Sequence, residues 1–220
     1  MSDQPIPLSS QDITEEEIAA VVAVMRSDRL SLGPEIQAFE TALAEKSGRK
    51  FAVGVNSGTS ALHLCVKGLG IGEGDEVITT PFSFVATTNC VLFENATPVL
   101  VDIDPVSYNM DPAKIEAAIT PRTKAILPVE VFGNPAHFAA YEALAKKHGL
   151  YLIEDSCEAL GAQLDGRPAG SFGDCGVFAF YPNKQITTGE GGALVTDDEA
   201  LRDMAVSLRN QGRATDAWLC

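Results

Sequence analysis

Long apolar runs are missing from this sequence. None approaches the roughly 20 apolar residues of a membrane helix, and the opening MSDQPIPLSSQD lacks the basic and apolar regions of a secretory signal, so no membrane association and a cytoplasmic location are expected. Basic residues are scarce as well: 16 Lys plus Arg stand against 30 Asp plus Glu, a formal net charge of −14. Nucleic-acid binding needs clustered cations to displace counterions from phosphates. Neighbouring basic residues are few here, Lys146 and Lys147 among them, so no nucleic-acid partner is expected. The five cysteines (Cys65, Cys90, Cys157, Cys175, Cys220) are odd in number and show no CxxC spacing, while His63, His137 and His148 lie far from them along the chain. Neither a disulfide framework nor a zinc site is indicated, and reduced, mostly buried cysteines are the expectation.

What remains is the composition of a soluble α/β protein. The 220 residues are 45% hydrophobic and 21% charged, enough to bury a core in one large domain or one and a half. Thr14 followed by Glu17 reads as a capping box, with Ile13 and Ile18 placed as a hydrophobic staple, opening a helix to about Met25. A second helix starts after Gly33 with Pro34 in its first turn and ends before Gly48. Short β-rich apolar runs then follow at residues 51–55, 76–79, 99–103, 125–129, 150–153, 177–180 and 193–195. Helical segments at 60–68, 84–94, 112–119 and 135–147 alternate with the early runs. This alternation implies a mostly parallel sheet covered by helices on both faces. Residues 199–209 read as a helix leaving the sheet domain, after which Trp218 and Leu219 are apolar residues in want of a packing partner.

Ligands of open α/β sheets bind beyond the carboxyl ends of the strands. Asn56, Ser57, Gly58 and Thr59 follow the first run and lead into a helix, where free amides and the helix dipole favour a phosphate; the segment is neither GxGxxG nor GxxxxGK[ST]. A capped helix start reads equally well. Phe82 and Phe84 follow the second run, either as ring-stacking faces or as ordinary core residues. Glu154 and Asp155 follow the fifth run, and strand alternation sends one toward the site and the other away. Lys184, one of eight lysines, follows a strand and precedes Gly189, Gly191 and Gly192, whose backbone freedom allows a tight fold around the amine. A phosphate cradle, an aromatic plate, an acid and an activatable lysine together match the needs of pyridoxal phosphate.

The strings NSGTSALHL, PFSFVATTN, EDSCEALGA, GSFGDCGVFAFYPNKQITTGEGG and LRNQGR, in this order, resemble the DegT/DnrJ/EryC1/StrS family of pyridoxal-phosphate sugar aminotransferases over essentially the whole chain. IPLSSQDIT and RLSLGPEIQAFE fit as well. The resemblance implies the large domain of a fold type I enzyme. Residues 1–30 would form an N-terminal helical segment, 31–200 the cofactor-binding α/β domain, and 201–220 the start of a connection to a small C-terminal domain absent from this chain. It implies that Lys184 is the Schiff-base lysine and proton carrier, and that Asp155 partners the pyridine nitrogen. Gly58, Thr59 and Ser60 would hold the phosphate, Phe84 would stack on the ring, and Glu158 would lie near the ring hydroxyl and the substrate. It further implies a nucleotide-linked keto sugar as substrate, an amino-acid donor such as glutamate, and a homodimer when the chain is full length.

Two departures from the family pattern stand out. Ala179 occupies a position where many relatives carry a phosphate-binding serine, and Glu158 replaces a Gln or His. Arg29 and Arg209 are candidate contacts for an anionic substrate, against the plainer expectation of solvated surface arginines. A truncated, inactive fragment that binds cofactor or partner is the alternative to an active enzyme, and an amino-acid aminotransferase of the same fold type is a third reading.

Overall fold

A computed structural model describes residue 7 and residues 9–213. Trp218, Leu219 and Cys220 lie outside the described residues. The capping box forms as expected: Thr14 Oγ1 accepts from the Glu16 N–H, and the Glu17 carboxylate accepts from the Thr14 N–H at 2.7 Å. It opens α1 (Glu15–Met25), while Ile13 and Ile18 stay largely exposed. Helix α2 (Pro34–Ser47) carries Pro at its first position and ends at Gly48 in the left-handed conformation.

The sheet has seven strands. In chain order these are β1 (Phe51–Val55), β2 (Glu76–Thr79), β3 (Thr97–Leu100), β4 (Thr123–Ile126) and β5 (Tyr151–Asp155), then β8 (Cys175–Ala179) and β9 (Gly192–Thr196). A short hairpin, β6 (Gln163–Leu164) and β7 (Arg167–Pro168), stands apart from it. Across the sheet the order is β1-β9-β8-β5-β4-β2-β3. Four adjacent pairs are parallel, whereas β9 runs antiparallel to both β1 and β8. Since β9 alone is reversed among the described strands, the carboxyl ends of β1, β2, β4, β5 and β8 reach one edge of the sheet, where β9 begins.

The helices are α3 (Gly58–Gly68), α4 (Ala86–Leu92), α5 (Pro112–Ala118), α6 (Phe138–His148) and α7 (Glu199–Arg209). Strand periodicity of two sorts the core into layers. Val53, Val77, Ala125, Ile153, Val177 and Leu194 meet α3, α4 and α7 on one face. On the other, Ile78, Ile126 and Leu152 meet α5 and α6, and Ala52, Phe178, Ala193 and Val195 meet α2. The expected α/β architecture with helices on both faces is therefore present. One local expectation fails: α7 does not leave the sheet domain. Its Leu201 and Ala205, four residues apart on one helix face, are buried in the first layer, and the Arg202 guanidinium lies 4.4 Å over the Phe51 ring.

Candidate active site

At the common strand edge, a cavity of about 770 Å³ is lined by residues that follow five strands, among them Gly58, Thr59, Phe84, Asp155, Glu158 and Lys184. Six of the seven sequence-derived candidates thus converge. Ser60 does not line it: its N–H donates to Ser57 Oγ at 3.1 Å, which caps α3 and leaves Gly58 and Thr59 at the cavity surface. The helix begins at Gly58, two residues earlier than expected. A side chain has no room there, because a Cβ on Gly58 would sit 2.8 Å from Ala179 Cβ and 3.0 Å from Cys157 Sγ. Gly192 is equally constrained, as a Cβ would collide with the Ser57 carbonyl carbon and the Gly58 nitrogen. The cradle is therefore backbone packed on backbone at a helix N-terminus, the arrangement that suits a phosphate. Ala179 sets its methyl against this cradle and offers no hydroxyl.

The two acids ending β5 point to opposite faces, as alternation requires. Asp155 lines the cavity and is only 5% exposed. Its Oδ2 accepts from Thr87 Oγ1 at 2.7 Å, while Oδ1 has a long 3.4 Å contact from the Cys157 N–H, and the Cys157 thiol also hydrogen-bonds this carboxylate. Glu154 is turned away and is saturated. Oε1 accepts from the N–H groups of Phe172 and Gly173, both at 2.6 Å, Oε2 accepts from Gly170 N–H at 2.9 Å, and Arg49 stands 3.4 Å away. Burial raises the Glu154 carboxyl to about 7 against the pull of those N–H groups and of Arg49.

Lys184 sits on the loop between β8 and β9, with its side chain 16% exposed. Its Nζ donates to Glu158 Oε1 at 3.1 Å, and Glu158 Oε2 accepts from the Phe132 N–H at 3.1 Å. The Glu158 carbonyl also accepts from the Gln185 side-chain amide, Nε2. Glu158 thus joins the lysine loop to the loop after β4. Phe132 is strained, at φ 54°, and forms an aromatic triangle with Phe82 and Tyr108, itself at φ 63°. Such left-handed bulky residues concentrate at functional sites. Phe84 is 75% exposed at the cavity, free to meet a planar ring, so the core reading of this residue fails.

Sequence reasoning missed three participants. Thr87 and Ser83 back the cavity acid, their hydroxyl oxygens 2.6 Å apart. Glu130 lies between the cavity residues Val129 and Val131 but faces away. It is fully buried beside Glu154, with neither carboxyl oxygen hydrogen-bonded among the described residues, and burial lifts its pKa to about 9. A Glu alternating with two valines was the available signal. Arg209 does not line the cavity: it pairs with Glu40 and donates to the Gly54 carbonyl at 3.1 Å. Cys65, Cys90, Cys157 and Cys175 are unpaired thiols, and burial pushes Cys90 up to about 12.

The chain resembles proteins of known kind. Residues 11–219 match the model of the DegT/DnrJ/EryC1/StrS aminotransferase family. The spore coat polysaccharide biosynthesis protein SpsC of Bacillus subtilis is 46% identical over 213 residues, covering 97% of this chain and 55% of that protein. GDP-perosamine synthase of Caulobacter vibrioides is 45% identical over 214 residues, 96% of this chain and 58% of that one. The crystal structure of an aminotransferase from Psychrobacter cryohalolentis superposes with a TM-score of 0.91 at 39% identity, covering 95% of this chain and 54% of the other. The chain therefore spans just over half the length of the relatives it matches. With the family match running over residues 11–219 and the fold in agreement, the chain belongs to the DegT/DnrJ/EryC1/StrS aminotransferase family.

Proposed function

We propose that this chain is the cofactor-binding domain of a pyridoxal-phosphate aminotransferase that moves an amino group, from a donor such as glutamate, onto a nucleotide-linked keto sugar. The observation that carries the reading is the convergence of Lys184, Asp155 and the Gly58–Thr59 cradle on one cavity. The residues fit the cofactor: a side-chain-free cradle at a helix N-terminus for the phosphate, a buried acid for the ring nitrogen, an exposed phenyl face and one shielded amine. The sugar assignment is supported by the family and by a relative named for a GDP-linked sugar.

Bound pyridoxal phosphate supplies an electron sink for the bonds around the reacting carbon. With the cofactor bound, Asp155 would hold a proton at the ring nitrogen through its cavity-facing oxygen. Gly58 and Thr59 would offer backbone N–H groups to the phosphate, with no hydroxyl from position 179. Phe84 would cover one ring face. Lys184 would hold the cofactor through Nζ and, once freed, would carry a proton to and from the reacting carbon. Glu158 is the acceptor that keeps Nζ in the cavity. The working unit is taken to be a homodimer, in keeping with α1, which buries none of its residues. The four unpaired thiols suit a reducing compartment such as the cytoplasm, and among the described residues no helix is long and apolar enough to cross a membrane.

Purified protein mixed with pyridoxal phosphate is expected to gain a visible absorbance band that Lys184→Ala lacks; a colourless wild type overturns the reading. An amine-transfer assay across nucleotide keto sugars and simple keto acids tests the substrate class, and turnover of the keto acids alone would reject the sugar.

A further inference from the structure

We propose that Thr87 is a positioning residue for the cavity acid, and that Ser83, Thr87 and Asp155 form a one-way hydrogen-bond chain that aims the free oxygen of Asp155 into the cavity. The inference rests on the functional reading above and goes beyond it by naming two hydroxyl residues that the reading does not use.

The direction of the chain follows from donor counting. An ionised carboxylate only accepts, so Thr87 Oγ1 must give its single proton to Asp155 Oδ2 across 2.7 Å. Thr87 has then no proton left for Ser83, and the 2.6 Å contact between their hydroxyls requires Ser83 to donate. Thr87 is fully buried, so water cannot replace its hydroxyl. It sits in the first turn of α4, yet no side-chain cap is formed there; its hydroxyl reaches across to β5 instead. Fixing Oδ2 fixes the rotation of the carboxyl group, and Oδ1, with a long 3.4 Å contact from the Cys157 N–H and the Cys157 thiol beside the carboxylate, keeps acceptor capacity for a proton-bearing partner in the cavity. The chain also starts on the loop carrying Phe82 and Phe84, so the ring-covering face and the acid are set by one linkage. Other charged groups facing this acid are Lys184 and Glu158 across the cavity and Glu130 behind it.

The test compares Thr87→Val, which keeps shape and removes the hydroxyl, with Thr87→Ser, which keeps the hydroxyl. Two readouts are needed. In ligand-free protein at fixed pH, the carbon-13 chemical shift of the labelled Asp155 carboxyl reports the hydrogen bonds it accepts. Thr87→Val moves that shift because Oδ2 loses its donor, and Thr87→Ser restores it. With pyridoxal phosphate added, Thr87→Val weakens binding by about tenfold or more, as expected for loss of a hydrogen bond to a charged group, and shifts the pH profile of the visible band. Ser83→Ala gives a smaller change of the same sign and serves if Thr87→Val does not fold. An unchanged Asp155 carboxyl chemical shift in Thr87→Val, or in Ser83→Ala where the former does not fold, overturns the proposal. So does a Thr87→Ser variant as impaired as Thr87→Val, which would assign the effect to packing of the methyl. If the wild type binds no cofactor while the NMR shift is present, the functional reading fails and the Thr87 assignment stands.

Discussion

Glu154 and Asp155 are consecutive carboxylates on one strand, and the protein uses them in opposite ways. Glu154 meets three backbone N–H groups and a guanidinium, so its acceptor capacity is spent on holding the turn at residues 170–173 to the sheet. Asp155 receives one strong hydrogen bond and keeps an oxygen for the cavity. Residue type and burial do not separate the two, since both are nearly inaccessible. Unspent hydrogen-bonding capacity does. A buried acid already satisfied by its own chain is a fastener, and one left part-satisfied at a cavity is equipped for a ligand.

The contrast can be broken at either acid. The largest effect on stability is expected on the Glu154 side. Arg49→Met leaves the buried carboxylate without its counter-charge and should cost about 3–5 kcal/mol in denaturant unfolding, whereas Asp155→Asn should unfold near the wild-type midpoint. Asp155→Asn should instead lose the visible cofactor band's normal pH profile and nearly all turnover, effects that a refolded Arg49→Met would not share.

Glu130 sharpens the same point through pH. The unfolded chain releases this proton near 4.5 and the folded chain near 9, so the folded state binds the proton more tightly and stability falls as pH rises across that window. Glu154 adds to the fall up to about pH 7. Denaturant titrations at pH 5 and pH 8 should therefore show a wild type less stable at pH 8, with a flatter dependence for Glu130→Gln. The smallest effect belongs to Phe84→Ala. Removing one exposed stacking face should weaken cofactor binding by roughly 1 kcal/mol, about fivefold, and leave the thermal midpoint unmoved because the ring buries little in the free protein.

Much of this fold is legible in the sequence where pattern and punctuation agree. β1, β2 and α7 fall on their expected residues because apolar runs or helical spacing end at clear boundaries. β5 runs two residues past expectation because Glu154 and Asp155 look like loop residues, yet both pair with β8; Arg49 and Thr87, distant in sequence, make that tolerable. β3 and β4 each begin two residues early, since threonines at their starts carry no apolar signal. The reversal of β9 has no local signature at all. The β6–β7 hairpin did: Asp165-Gly166, both at positive φ, is a turn pair that calls for a hairpin. At the site, Lys184, Asp155 and Gly58 could be read from motif context, whereas Thr87 and Ser83 could not. Their role depends on α4 lying beside the end of β5, a contact made only by the folded sheet.

The central claim is a bond between the Lys184 amine and pyridoxal phosphate. Borohydride reduction of the loaded protein, followed by proteolysis and mass spectrometry, tests it directly. The account predicts one tagged peptide, carrying the label on Lys184; a label on any other lysine, or none, would contradict it.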